Sequence, residues 1–180
     1  MSQPTFETPR ATLVPTTLAD LEPLWEIWRD PDVRRFLFDD QPVDRARAAE
    51  VVDGCLTEAP SGRGLWTIRE HGAVIGCAGL MPVTWSEYDP TGAGLCEPIV
   101  ALAPASWHCG HAVEGLRLLV GHAFDTLDLE CIAGATDVPN EASHRMLTRV
   151  GFVPQRECPG PHYRIRTYRL ERADWRVQAN

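Results

Sequence analysis

The chain has 180 residues, 44% of them hydrophobic, enough to bury the core of one domain without disulfides or a metal. A formal net charge of −8 argues against a general binder of nucleic-acid backbones, and since all 17 basic residues are arginine, Schiff-base, Walker-type and kinase-type lysine chemistries are excluded. There is no run of about 18 apolar residues, and the start MSQPTFETPR lacks the basic and apolar regions of a signal peptide, so a cytoplasmic protein with no membrane partner is expected.

The first nine residues or so read as a loose end. Residues 10–16 (RATLVPT) predict a strand, and Thr17 followed by LADLEPLWEIW predicts a capped amphipathic helix that stops before Pro31. A second helix is expected within Pro42 to Glu58. LWTIREHGAVIGCAGL reads as two strands joined at His71-Gly72, a hairpin signal. The polar stretch 84–94 (TWSEYDPTGAG) interrupts the pattern and reads equally as a substrate loop or a solvated turn. Residues 95–103 (LCEPIVALA) form the next expected strand, weakened at its start by Pro98. A helix at about 110–125, a strand at about 129–137, a helix at about 140–149 and strands near 152–157 and 162–170 complete the reading. This order implies a single α/β (α+β) domain over residues 1–180, built on a mixed sheet of about seven strands. Cys55, Cys77, Cys96, Cys109, Cys131 and Cys158 are scattered without a C-x-x-C pair, as expected of reduced thiols packed as small hydrophobes.

The segment from Leu102 to Glu114 (LAPASWHCGHAVE) passes from strand through a short loop into an apolar-periodic helix. A helix start offers unpaired N–H groups and the positive end of the helix dipole, and Gly110 would let a phosphate approach the backbone; ordinary packing also accounts for a glycine there. Asn140 is a natural N-cap for the next helix and Gly151 a natural residue just past its end, and plain capping explains both.

Taken in order, TLADLEPLW at 17–25, DPDVRRF at 30–36, IGCAGL at 75–80, PASWHCGHAVEGL at 104–116, AFDTLDL at 123–129 and NEASHRMLTRVGF at 140–152 resemble the GNAT superfamily of acyl-CoA N-acyltransferases, in its RimJ/RimL-like branch. The resemblance covers about residues 10–172. It implies a twisted sheet splayed open between the fourth and fifth strands, helices on both faces, and acyl-CoA pantetheine in the opening. The family's pyrophosphate loop, Q/R-x-x-G-x-G/A, falls on Trp107, His108, Cys109, Gly110, His111 and Ala112. Its fourth and sixth positions match; Trp107 stands where Gln or Arg is general, and His108 where glycine is usual. The resemblance further implies that the backbone of Val100, Ala101 and Leu102 pairs with pantetheine amides as an added strand would, and that Asn140 reaches the pantetheine arm.

By the same resemblance the reaction is direct transfer of an acetyl group from acetyl-CoA to a primary amine, a peptide N-terminus or a small-molecule amine, with no metal. Glu97, opening the strand beside the thioester, is the candidate base, against the alternative of a solvated strand-end glutamate. The superfamily's frequent tyrosine acid falls here on Leu147, which leaves the Ser143 hydroxyl, as in the RimL-like branch, although a serine there also bonds locally. Trp28, Phe36, Phe38 and Trp85 are candidates to line the acceptor side, with core packing as the competing reading. The cluster His108-Cys109-x-His111 lacks a second ligand pair at a recognised zinc spacing, and Cys109 as an acyl carrier lacks a readable Cys–His pair. A monomer or homodimer is expected, and the alternative function is an acyl-CoA-binding or regulatory protein without turnover.

Overall fold

The structure, a computed structural model, describes residues 2–179. These divide into two compact units, Met1–Met81 with Ile99–Gly115, and Pro82–Pro98 with Leu116–Asn180.

The first unit begins with a two-residue strand, β1 (Phe6–Glu7), paired antiparallel to β2 (Thr12–Pro15). The N-terminal segment is therefore not loose: the Trp66 indole donates to the Pro4 carbonyl at 2.8 Å and the Phe6 ring lies 5.9 Å from that of Trp66. Both contacts join residues far apart in sequence and leave no local pattern. Helix α1 (Leu21–Trp28) follows a 3-10 turn that starts at Thr17, where the Asp20 carboxylate accepts from the Thr17 amide at 2.9 Å. A helix absent from the sequence reading comes next, α2 (Pro31–Leu37). Pro31 stops α1 and also starts α2, because a proline suits the first helical position and the Asp30 carboxylate caps it by accepting from the Asp32 amide at 2.9 Å. Helix α3 (Arg45–Glu58) leads into β3 (Gly64–Glu70) and β4 (Ala73–Pro82). The tight hairpin between them has φ of 49° at His71 and 85° at Gly72, two left-handed residues in succession as a type I′ turn requires. Strand β5 (Cys96–Leu102) runs on from the second unit into the first. A Cβ at Gly76 would collide with the Ala101 carbonyl, so glycine is what lets β4 lie close to β5 here, where Ala103 N donates to Ile75 O at 2.9 Å. Leu21, Leu24, Trp28, Val52, Leu65 and Cys77 form the packed interior of this unit. Helix α4 (His111–Asp125) starts in it.

In the second unit β6 (Cys131–Asp137) is followed by α5 (Glu141–Val150), β7 (Val153–Cys158), β8 (Ile165–Glu171) and α6 (Arg172–Ala179). Strand β6 pairs antiparallel with β8 from Cys131↔Glu171 to Asp137↔Ile165, and β7 covers the other edge of β8. The parallel register of β5 with β6 is confined, among the described residues, to Cys96↔Ile132. These are the fourth and fifth strands of the sequence reading, numbered one higher because of β1. The strand order is β1-β2-β3-β4-β5-β6-β8-β7, eight strands and mostly antiparallel. Helix α6 also escaped the sequence reading; its Trp175 ring lies 6.5 Å from that of Phe124, another distant partner. All six cysteines are free thiols, and Cys109 alone is exposed. Among the described residues no helix is long and apolar enough to cross a membrane.

Candidate functional site

The loop between β5 and α4 is shaped by two turns. Ser106 N donates to Ala103 O at 2.8 Å, and the Trp107 indole reaches back to the Leu102 carbonyl at 2.8 Å. The indole gives Trp107 a structural task in this loop, one that a glutamine or arginine would perform differently. His108 then takes φ of 62° and Gly110 φ of 94°, so Trp107, His108, Cys109 and Gly110 lie exposed ahead of the helix. His108 adopts a backbone that glycine would take without strain, which locates the cost of the departure from the usual residue. The first turn of α4 closes with Glu114 N donating to Gly110 O at 3.1 Å. His111 is 3% exposed, its Nε2 3.4 Å from Glu70 Oε1, and Ala112 is half-buried.

Arg10 was not singled out from sequence, and it braces this loop. Its guanidinium donates to the Cys109 carbonyl, and its Nε lies 3.3 Å from Glu114 Oε1. The Cys109–Gly110 peptide is trans, so a carbonyl turned on Arg10 directs the Gly110 N–H the opposite way. Glu114 is the acidic residue of the first turn of α4, and Arg10 offsets its charge where an anion would approach. Arg10 and Cys109 lie 99 residues apart, and no sequence spacing connects them.

Glu97, Asn140 and Ser143 lie in the second unit. Glu97 is 8% exposed: Oε1 accepts from Thr84 N at 3.0 Å and Thr84 Oγ1 at 3.1 Å, and Oε2 accepts from the Trp85 indole at 2.7 Å. The solvated strand-end alternative is thereby corrected, because the carboxyl is buried and fully engaged. Burial pushes its pKa up, opposed by the bonds from Thr84 and Trp85. Asn140 Oδ1 accepts from Ser143 N at 3.2 Å, which is the capping role read from sequence, and both side chains are partly exposed. The next residue, His144, fastens this turn of α5. A carbonyl only accepts, so Nε2 donates to Val138 O at 3.0 Å, and Nδ1 lies 2.6 Å from the Tyr168 hydroxyl.

A family model described as "Acetyltransferase (GNAT) domain" matches residues 10–153. The chain belongs to that family. Among proteins of known description, this GNAT chain is 30% identical over 160 residues to FsC-acetyl coenzyme A-N(2)-transacetylase of Aspergillus fumigatus, covering 84% of the chain and 66% of the relative, so it spans just under two thirds of that protein's length. Among solved structures it resembles an acetyltransferase from Agrobacterium tumefaciens str. C58 with a TM-score of 0.79, 23% identity and coverage of 95% and 96%. It also resembles RimL, the ribosomal L7/L12 alpha-N-protein acetyltransferase in complex with coenzyme A, with a TM-score of 0.77, 13% identity and coverage of 93% and 98%. At these identities the two structures share the fold with the chain.

Within this GNAT chain the remaining candidates are placed as follows. Val100 is half-buried, and Ala101 and Leu102 are buried, with the Leu102 carbonyl already engaged by Trp107. Trp28 is 2% exposed in the interior of the first unit, 5.9 Å from the half-buried Phe38 ring. Phe36 is half-buried with the Arg35 guanidinium 5.0 Å over its ring. Trp85 is buried beside Ala133 and Ile165 in the second unit.

Proposed function

We propose that the protein transfers an acetyl group from acetyl-CoA to a primary amine, within the RimJ/RimL-like branch, and that the acceptor is a peptide N-terminus or a small-molecule amine. The observation that carries this reading is the exposed loop with left-handed His108 and Gly110 leading into the 15-residue helix α4 of a GNAT chain. Its residues fit a pyrophosphate: backbone N–H groups stand at a helix start and the nearest carboxylate is paired with Arg10. The similarity to a fungal acetyl coenzyme A transacetylase and to RimL in complex with coenzyme A supports acetyl-CoA as the donor.

In this reading the amides of Cys109 to Ala112 hold the pyrophosphate, the backbone of Val100 to Leu102 and Asn140 hold the pantetheine arm, and the half-buried Phe36 and Phe38 shape the acceptor side, whereas Trp28 and Trp85 are core residues, the competing reading of the sequence. The acceptor must be neutral to attack. An α-amino group titrates at about 7.7–8.0 and a lysine side chain at about 10.4, so the latter depends far more on a base near neutrality. Glu97 takes the amine proton, directly or through water, and burial makes it a stronger base than an exposed glutamate. As the new C–N bond forms and the C–S bond breaks, Ser143 passes its proton to the departing thiolate and takes one back from solvent, while Glu97 releases the amine proton to solvent, so both groups are restored for the next turnover. No metal enters the scheme, so activity should survive EDTA; loss restored by zinc would overturn this part. The protein acts as a monomer or homodimer in the cytoplasm.

The test is calorimetric titration with acetyl-CoA, followed by thioester loss with a panel of an alanyl peptide, a polyamine, an aminoglycoside and a free amino acid. Binding together with amine-dependent thioester loss is expected. Tight binding without turnover on any amine would sink the enzyme reading and leave the acyl-CoA-binding alternative.

A further inference from the structure

The stretch 83–95 between β4 and β5, ambiguous in sequence, is held by a second buried acid. Asp89 is 0% exposed. Its Oδ1 accepts from Thr91 N at 3.0 Å and Thr91 Oγ1 at 2.8 Å; its Oδ2 accepts from Arg156 Nε at 2.9 Å and Thr167 Oγ1 at 3.2 Å. The second prong of Arg156, Nη2, donates to Oδ1, making a two-pronged ion pair between the loop and β7, with β8 supplying Thr167. The backbone relays this anchor. Asp89 N and Tyr88 N both donate to Trp85 O, at 3.2 and 2.9 Å, while Val83 N donates to Leu95 O at 3.0 Å across the stem. The Trp85 ring lies against Gly92, where an added Cβ would sit 2.6 Å from two ring carbons. From that position the indole donates to Glu97.

We infer that the Asp89–Arg156 pair is a positioning clamp, holding the 83–95 loop in the conformation that sets the Trp85 indole on Glu97. Asp89 is wholly enclosed while the Arg156 side chain is 53% exposed, so the arginine reaches in from the surface, and its two-pronged bond imposes one arrangement on the partners. Arg156 beside Asp89 holds its carboxyl well below the usual carboxylate range, so the pair stays charged at ordinary pH. The loop is a fixed wall, and Asp89 and Arg156 act on the chemistry through Trp85. That consequence rests on Glu97 being the base; the clamp itself does not.

The test reads the indole N–H signals of the full chain by proton–nitrogen NMR, with the Trp85 signal assigned by Trp85→Phe. In Arg156→Met the Trp85 N–H should exchange with water at least about tenfold faster, as expected when a hydrogen bond to a charged group is undone, while the Trp28 and Trp66 signals stay in place. Arg156→Lys should restore most of the protection. Thr167→Val, which keeps the ion pair and loses one donor to Asp89, should show a smaller change of the same kind and serves if Arg156→Met does not fold. A Trp85 signal unchanged in these variants, or one that moves only together with all other indoles, overturns the clamp. Glu97→Gln kinetics are measured separately: wild-type turnover there would remove the base and leave the clamp to be decided by the indole signals.

Discussion

Gly110 is the residue on which the donor site turns. At φ of 94° any side chain is strained by about 1–2 kcal/mol, and its Cβ would stand 3.2 Å from Arg10 Nη1. Gly110→Ala carries that strain alone, whereas Gly110→Glu adds a carboxylate where phosphate is proposed to lie. The glutamate variant should raise the acetyl-CoA dissociation constant at least about a hundredfold, the loss of two or three charged hydrogen bonds, and the alanine variant should lose much less. Equal affinity of wild type and Gly110→Glu by calorimetry would remove the phosphate assignment. Burial raises the folded pKa of Glu97. The folded state binds the proton more tightly, so this group favours folding at low pH and that contribution is lost as pH rises through the folded pKa. As a base it becomes competent over that same rise. Glu97→Gln should therefore cut the rate near neutrality and lose less at high pH, where free amine is plentiful. It should not stabilise the protein, since an amide oriented to accept from Thr84 turns its own N–H₂ toward the Trp85 N–H and leaves a buried donor unpaired, at about 1–3 kcal/mol. Ser143→Ala should lower turnover with little change in acetyl-CoA affinity; unchanged turnover in both variants across the pH range would leave positioning as the source of catalysis.

At the scale of the element, α5 shows local chemistry agreeing at both ends. Asn140 caps its start, and Gly151, at φ of 110°, ends it with its N–H on Leu147 O at 3.1 Å, followed by Phe152 N on the same carbonyl at 3.0 Å. Asn140→Ala should cost about 0.5–2 kcal/mol in urea unfolding, and Asn140→Asp, which keeps the accepting oxygen, far less. If Asn140 also reaches pantetheine, both variants weaken acetyl-CoA binding because both lose the amide N–H₂; affinity that follows only the unfolding data would make Asn140 a cap and nothing more. The elements that sequence reading missed, β1, α2 and α6, share a cause. Each is short and owes its place to a partner elsewhere or to a proline that punctuates in both directions.

Over the whole molecule, acidic residues outnumber basic ones, 25 to 17, yet the buried acids Asp20 and Asp89 are each held by an arginine. Asp89 is the strongest instance. Its carboxyl is depressed first by Arg156 and then by Thr91 and Thr167, so in the unfolded chain it binds protons at higher pH than in the folded one. Its stabilising contribution is full above the ordinary carboxylate pKa and is lost as pH falls toward the folded value. Asp89→Asn should accordingly show a lower urea midpoint than wild type near neutrality, with the gap narrowing below about pH 4. A gap that stays constant across that range would show that the carboxylate charge contributes nothing to stability.

What the sequence by itself determined is what local rules encode. The hairpin at His71-Gly72, α5 between Asn140 and Gly151 and the strand-loop-helix from Leu102 to Glu114 follow from backbone preferences and hydrophobic period acting within a few residues, and the family was legible only as a resemblance of the motifs in their order. Tertiary structure decided which polar groups are buried and by whom they are held. Alternation placed Glu97 on a strand face, but only the loop folding over that face made it a buried, triply bonded carboxyl. Arg10 meets Cys109 across 99 residues and Arg156 meets Asp89 across 67, and no residue period carries such distances. A local pattern records how the chain turns; the partner of a charge is settled only when separate segments compete to cover it.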